Sequence, residues 1–415
     1  MPLFFSCASY NTKLSRYYSQ VRTNNFEAAD KELEASNFLR ADRNRLLYLL
    51  EKGKLLHLQK KYDSSNIYFN AADQFFETEN KNIGDYTAGL LTTPMNQKYL
   101  GEYFERYMMH YYKALNYMAL GNVSGARVEA RRITLSANDI ADDKRYNTRK
   151  YTKDAFAFNL QGLLYEANGD INDAFISYRN SVDLYLKGKL EFYGVAVPPQ
   201  LQMDLLRTAQ QLGFEDQVDK YRRELQFTKP IDKPAAAELV IFLEQGFGPV
   251  KGETTLNLIR VGNTSMFSYV DAFGNAIDIP FSWGWYTGNV GMVDAGNVRN
   301  MRVALPTYIL QSQFQKFPTV YVNGLTVQPQ MVQNINKLAV ACLQERLLKE
   351  IADAMARQLV KIGMEKGVSS ATTAISKNNN NGKTDSDKKA KAEAAGALAG
   401  LLVNIVNNVT EKADT

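Results

Sequence analysis

The chain of 415 residues has little of what most enzyme sites are built from. It contains two histidines, His57 and His110, and two cysteines, Cys7 and Cys342. Both histidines fall inside helical patterns, so a multi-histidine metal centre or a histidine-based nucleophilic triad is hard to assemble. Two cysteines so far apart make no disulfide framework. No apolar run reaches the roughly 18 residues of a membrane-spanning helix. HExxH, CxxC, GxGxxG and GxSxG do not stand at suitable places. The nearest decoy is GFGPVKG at 246–252. A phosphate loop needs Ser or Thr after its lysine at a helix N-terminus. Here Lys251 is followed by Gly252 and then by the strand-like TTLNLI. Neither a metal nor a cofactor is expected. Nor is nucleic acid: the net charge of +5, from 49 basic and 44 acidic residues, is spread along the chain rather than drawn into a basic stripe.

What the chain does have is internal repetition in its first half. Gly53, Leu56, Tyr62, Ser65, Phe69 and Ala72 share one spacing with Ala114, Tyr117, Val123, Ala126, Ala130 and Ile133. The same spacing recurs in Gly162, Tyr165, Ile171, Ala174, Tyr178 and Ser181. It is the spacing of tetratricopeptide repeats, in which a small residue lets two helices cross closely and a bulky one fills the adjoining gap. A weaker copy has Tyr17, Phe26, Ala29, Leu33 and Ser36, and "LLRTAQQLGFEDQVDKYRREL" forms a degenerate fifth. One helical hairpin cannot bury its own apolar face, so the copies are expected to stack as a solenoid over 8–228. Tyr99, Tyr103, Tyr107 and Tyr111 recur every four residues, which predicts an early helix start near Gln97.

The pattern changes near Pro230–Pro234. "ELVIFLE", "TTLNLIRV", "MFSYV", "AIDIPFSW", "MRVALPTYIL" and "TVYVNGLTV" read as short strands of a β-rich unit over 235–330. Asn323–Gly324 is the strongest hairpin signal in the chain. Over 331–365, Ile335, Leu338, Cys342, Ile351, Met355, Leu359 and Ile362 mark a long amphipathic helix expected to cover the sheet. Residues 366–392 read as a flexible loop. An apolar helix over 393–411 follows, too short to span a bilayer alone and carrying Gly396 and Gly400 at the spacing of close helix packing. The fold class expected is α+β and multidomain: a repeat solenoid, then a small all-β unit packed with a long C-terminal helix.

Cys7 follows a short apolar run, PLFFS, as the lipid-bearing cysteine of a bacterial lipoprotein does. Residues 1–7 are expected to be a shortened export signal, although the basic region and most of the apolar run of a full signal are missing. "YLGEYFERYMMHYYKALNYMALGNVSGARVEARRI", "YTKDAFAFNLQGLLYEANGDINDAFISY", "YGVAVPPQLQMDLL" and "ELVIFLEQGFGPVK" resemble a largely uncharacterised family of bacterial tetratricopeptide-repeat-bearing envelope lipoproteins. The resemblance implies lipid attachment at Cys7 and an outer-membrane location facing the periplasm. It implies no catalytic residues.

The function expected is therefore a non-enzymatic envelope scaffold or adaptor that grips another envelope protein in the concave face of its repeats. In the repeat register that face carries Tyr18, Arg22, Lys54, His57, Tyr111, Met118, Asn159, Glu166 and Arg207. The basic cluster Arg127, Arg131 and Arg132 reads either as a partner surface or as helix-surface ion pairing with Glu129 and neighbours. The alternative function is a structural subunit of an outer-membrane export or assembly machine, with self-association through the C-terminal helix. Last comes an envelope enzyme acting on glycan or peptidoglycan through paired carboxylates such as Asp139, Asp142 and Asp143.

Overall fold

The computed structural model describes residues 13–79, 98–142, 153–234, 238–260, 266–270, 276–280, 300–311, 319–322, 324–344, 351 and 354. Cys7, Asp143, the segment 366–392 and the apolar stretch 393–411 lie outside them. The protein is mostly helical with small antiparallel sheets, an α+β fold. It divides into two compact units. One comprises the described residues up to 250 together with 308–344, and the other the described residues of 251–307 with Ile351 and Ala354.

Helices dominate the first unit. In chain order they are α1 (Ser15–Arg22), α2 (Phe26–Ala35), the short α3 (Asn37–Arg40), a 3-10 turn (Asp42–Asn44), α4 (Arg45–Leu58) and α5 (Tyr62–Glu79). After them come α6 (Tyr103–Ala119), α7 (Val123–Asp142), α8 (Ala155–Ala167), α9 (Ile171–Lys187), α10 (Pro199–Gln211) and α11 (Glu215–Glu224). Consecutive helices pack in pairs: α1 with α2, α4 with α5, α6 with α7, α8 with α9 and α10 with α11. The second helix of a pair also meets the first helix of the next, α5 on α6, α7 on α8 and α9 on α10.

The repeated spacing explains the pairs. A methyl group added at Gly53 would lie 2.6 Å from the Phe69 ring, and one at Gly162 would overlap Tyr178, so only glycine admits these aromatics. Ser65 Oγ donates to the Gly53 carbonyl at 2.7 Å, and Ser181 Oγ donates to the Ala155 carbonyl at 2.6 Å. In the α6–α7 pair, Ala114, Ala126 and Ala130 meet with no exposed surface. Several starts are capped from within the sequence. Asn25 accepts from the Ala28 amide and Asp154 from the Ala157 amide, while Glu102 and Glu105 close a capping box on α6.

That capping box corrects the expected early start of α6. Tyr99 precedes the helix, because Gly101, at φ +78°, and Glu102 set its first turn at Tyr103. Tyr99 instead donates its hydroxyl to Glu105. A small hairpin unforeseen in the sequence, β1 (Glu191–Phe192) with β2 (Val195–Ala196), turns at Tyr193 and Gly194, both at positive φ.

Two further expectations change. Residues 335–344 are helical, but Leu338, Ala339 and Cys342 join Tyr107, Tyr111, Phe156 and Leu160 in one core cluster. This part of the long helix therefore covers α6 and α8. "ELVIFLE" belongs to none of the described helices or strands. Its side chains dock on helices, and Gly246, Gly248 and Pro249 just beyond it weaken ladder pairing.

The hairpin predicted from Asn323–Gly324 forms where expected. β7 (Val320–Val322) pairs with β8 (Leu325–Val327), Val322 faces Leu325, and Gly324 sits at φ +78°. The other unit is built on a four-stranded sheet. β3 (Val250–Arg260), β4 (Met266–Val270), β5 (Ala276–Pro280) and β6 (Asn300–Ile309) lie in the order β5-β4-β3-β6. β4 pairs antiparallel with both β3 and β5. Leu258, Val303, Ala304 and Leu305 are among the buried residues of this sheet. Pro306 is tolerated because β6 is an edge strand among the described residues.

Candidate functional site

The first helices of successive pairs, α1, α4, α6 and α8, carry side chains that hold the irregular segment 242–247, which bends at Gly246, at φ +81°. Phe242 lies edge-on to Tyr111 of α6, ring centroids 6.2 Å apart, and to Phe156 of α8 at 6.4 Å. Lys54 of α4 donates to Glu244 Oε2 at 2.6 Å. Phe247 meets Tyr18 of α1 edge-on at 6.4 Å, with the Arg22 guanidinium 4.7 Å from its ring centroid. The segment thus crosses the helices in reverse chain order, α8 and α6 first, α1 last.

Aromatic packing prepares this face before the segment reaches it. Tyr112 stacks nearly parallel on Phe69, 11° between ring planes, and Tyr111 touches Phe156 at 5.7 Å. Lys54 Nζ stands 3.6 Å from the Tyr112 ring centroid, a cation–π contact that holds the ammonium ready for a carboxylate. Burial lowers the Lys54 pKa, opposed by the Glu244 carboxylate. Burial, then the charge of Glu244, holds both Tyr111 and Tyr112 well above the usual phenol range. His57 packs against Tyr112 and Tyr62. Its Nδ1 lies 2.7 Å from Asn116 Oδ1, and Asn116 Nδ2 donates to Ser65 Oγ and Asn66 Oδ1. This chain fixes Nδ1 as the protonated nitrogen. Burial lowers the His57 pKa, so the ring acts as a neutral positioning group.

Of the nine residues read from the repeat register, Tyr18, Arg22, Lys54 and Tyr111 touch the segment, and His57 stands behind it against Tyr112. Met118 is exposed and Asn159 is buried in α8. Glu166 and Arg207 form a separate cluster. Arg207 holds Glu166 through both guanidinium nitrogens and reaches Asp204 at 2.8 Å, while the Tyr178 hydroxyl donates to Glu166. Sequence reasoning missed Phe242, Glu244 and Phe247 because it read one half of the segment as a strand and the other as a phosphate-loop decoy. Val250, Lys251 and Gly252 of that decoy open β3, so no helix N-terminus follows. A faint signal was present: two aromatics and an acid beside paired glycines suit side-chain docking better than ladder pairing.

The arginine cluster pairs differently from the expectation. Arg127 reaches Asp170 at 2.9 Å, and Arg132 reaches Asp73. Glu129 is taken instead by His110 Nδ1 at 2.8 Å and Lys113 Nζ at 3.0 Å, in a buried network that Asp73 completes. The ion pairs tie α5, α6, α7 and the turn before α9 together. Asp139 and Asp142 fall in the last turn of α7. Among the described residues, no group of three or more His, Cys, Asp or Glu is placed to hold a metal ion, and no helix is long and apolar enough to cross a membrane.

No protein-family model matches the chain, and no curated protein matches it. Among solved structures it is similar to BtubC (BKLC) from P. vanneervenii at 12% identity, over 56% of this chain and 87% of that one. The TM-score of 0.34 is too slight to show a shared fold.

Proposed function

We propose that the protein is a non-enzymatic scaffold whose tetratricopeptide-like helix pairs bind an extended segment of another protein. The observation that carries this reading is the set of contacts made by Tyr18, Arg22, Lys54 and Tyr111. Two aromatic rings and two cations, Lys54 and Arg22, alternate along a line that suits a peptide backbone, as in peptide recognition by rigid aromatic anchors. The histidines support the non-enzymatic part. His57 is committed to Asn116 and His110 to Glu129, each behind a packed helix face. Lipid attachment at Cys7, an outer-membrane location facing the periplasm and an envelope protein as partner complete the proposal, and these rest on the sequence resemblance alone.

The test is photo-crosslinking in intact cells, with the reactive residue at Tyr18 on α1 or at Ile67 on α5. The scaffold reading expects one discrete adduct from Tyr18 that disappears on Lys54→Glu, and none from Ile67. Equal adducts from both positions, or none from Tyr18, would count against it. Membrane release on Cys7→Ser, followed by fractionation, tests the anchor separately.

A further inference from the structure

The geometry points to residues 242–247 as a resident stand-in for the partner, so that the partner presents an extended aromatic-x-acid-x-x-aromatic segment and binds by displacing them. This inference rests on the scaffold reading and adds to it both the chemistry of the partner and a reason why the face is already filled.

The occupant shows what the face accepts. Phe242 enters between Tyr111 and Phe156, Glu244 meets Lys54, and Phe247 lies between Tyr18 and Arg22. Lys54 is poised over Tyr112 and partly withdrawn from water, so an occupant without an acid at the central position leaves a cation unpaired. Arg22 over the Phe247 ring selects an aromatic at the last position, where an aliphatic side chain would forgo the cation–π contact. The partner is therefore acidic and aromatic along its bound stretch.

The same contacts show that the occupant can leave. Its neighbours Leu239, Ile241 and Leu243 are 72%, 55% and 45% exposed, so little apolar area holds the segment beyond its anchors. It belongs to none of the described helices or strands. Asp232, Lys233, Pro234 and Glu238, which lead into it, are exposed. Segments of this kind open at far lower free energy than the packed helices beneath them. A tether of this sort sets an effective concentration on the order of millimolar, and a free peptide must exceed that to compete. The segment thus masks the face against weak ligands and yields to strong or multivalent ones.

The experiment uses the full chain and a fluorescent synthetic peptide of residues 238–250. A variant with Phe242→Ala, Glu244→Ala and Phe247→Ala frees the face. The peptide is expected to bind this variant at least ~10-fold more tightly than it binds the unaltered protein, because the tether no longer competes. A peptide carrying Glu244→Lys should lose about 10-fold, and Lys54→Glu in the protein should reverse that preference. Should the triple variant fail to fold, the single Glu244→Lys protein serves instead, because its site is at the surface. Failure of the peptide to bind a freed protein that keeps its helical circular dichroism and cooperative melt would overturn the inference. The scaffold reading is judged apart from it, by the Tyr18 adduct. An adduct without peptide binding removes the stand-in alone, and peptide binding without an adduct removes the cellular scaffold alone.

Discussion

Lys54 and Glu244 stand 190 positions apart in sequence, yet their charged atoms meet at 2.6 Å. The pair fastens the segment to α4 between its two aromatic anchors. Both side chains keep some contact with water, 28% and 36% exposed, so the pair holds position more than it adds stability. Glu244→Lys should therefore lower global stability by no more than about 1 kcal/mol. Amide exchange across 239–249 should nevertheless quicken clearly, while that of α4 and α6 stays unchanged. Hydrogen–deuterium exchange resolves the two, and the double reversal with Lys54→Glu should slow the segment again. Unaltered exchange in the single variant would mean that Phe242 and Phe247 hold the segment unaided.

Gly162→Ala sets two effects against each other. Alanine favours a helix over glycine by up to about 1 kcal/mol. Its methyl group would overlap the Tyr178 ring, which is fully buried and hydrogen-bonded to Glu166 and so has nowhere to turn. Overpacking of this kind costs about 1–3 kcal/mol. The steric cost wins, and net destabilisation is expected in urea unfolding. Gly53→Ala, against Phe69, should carry the same sign.

Lys113 is the cation at the centre of the buried network, 3.2 Å from Asp73 and 3.0 Å from Glu129, with 1% of its side chain exposed. Lys113→Met keeps much of the volume and leaves two carboxylates sharing Arg132 and a neutral histidine. Removing one partner from a buried ionic cluster costs about 3–5 kcal/mol, and a loss in that range is expected at pH 7. The charges set its pH dependence. His110 and Lys113 hold the Glu129 pKa below its ordinary value despite burial, so its contribution is present above pH 4.5 and fades as pH falls through the lowered value. The variant should lose the part of that lowering that Lys113 supplies and keep the part from the His110 hydrogen bond, a difference that parallel titrations of unfolding free energy would detect.

How much of this was open to sequence reading depends on the range of each interaction. Gly162 with Tyr178 and Gly53 with Phe69 were readable, because a sixteen-residue spacing repeated in the chain marks two helices crossing at one point. Tyr18, Arg22, Lys54 and Tyr111 followed from the same register, since the first helix of each pair turns one face away from its partner. The identity of what they touch did not follow. Phe242 and Glu244 belong to an apolar run of strand-like composition and Phe247 to the glycine-rich stretch after it, and composition does not say whether a run pairs by its backbone or docks by its side chains. Cys342 erred for a related reason. Its helical period places it on a buried face but cannot name the surface covered, and the aromatic cluster of Tyr107, Tyr111 and Phe156 is that surface.

Asp204 shows how the Arg207 cluster should respond to pH. One guanidinium faces two carboxylates, and its bidentate grip on Glu166 leaves Asp204 the less compensated of the two. Burial pushes the Asp204 carboxyl up from 3.8 to about 6, against the lowering effect of Arg207 and Gln200. The native state therefore holds this proton more tightly than the unfolded chain. Its stabilising effect is fully present below pH 3.8 and is lost as pH rises through about 6. Asp204→Asn removes the titration and keeps an acceptor for Arg207. The unfolding free energy of the variant minus that of the unaltered protein should fall by up to about 3 kcal/mol between pH 7 and pH 4, the variant gaining most where Asp204 is ionised. Urea unfolding at half-unit pH intervals measures the difference directly. A flat difference would mean that Arg207 holds the charge of Asp204 as firmly as that of Glu166.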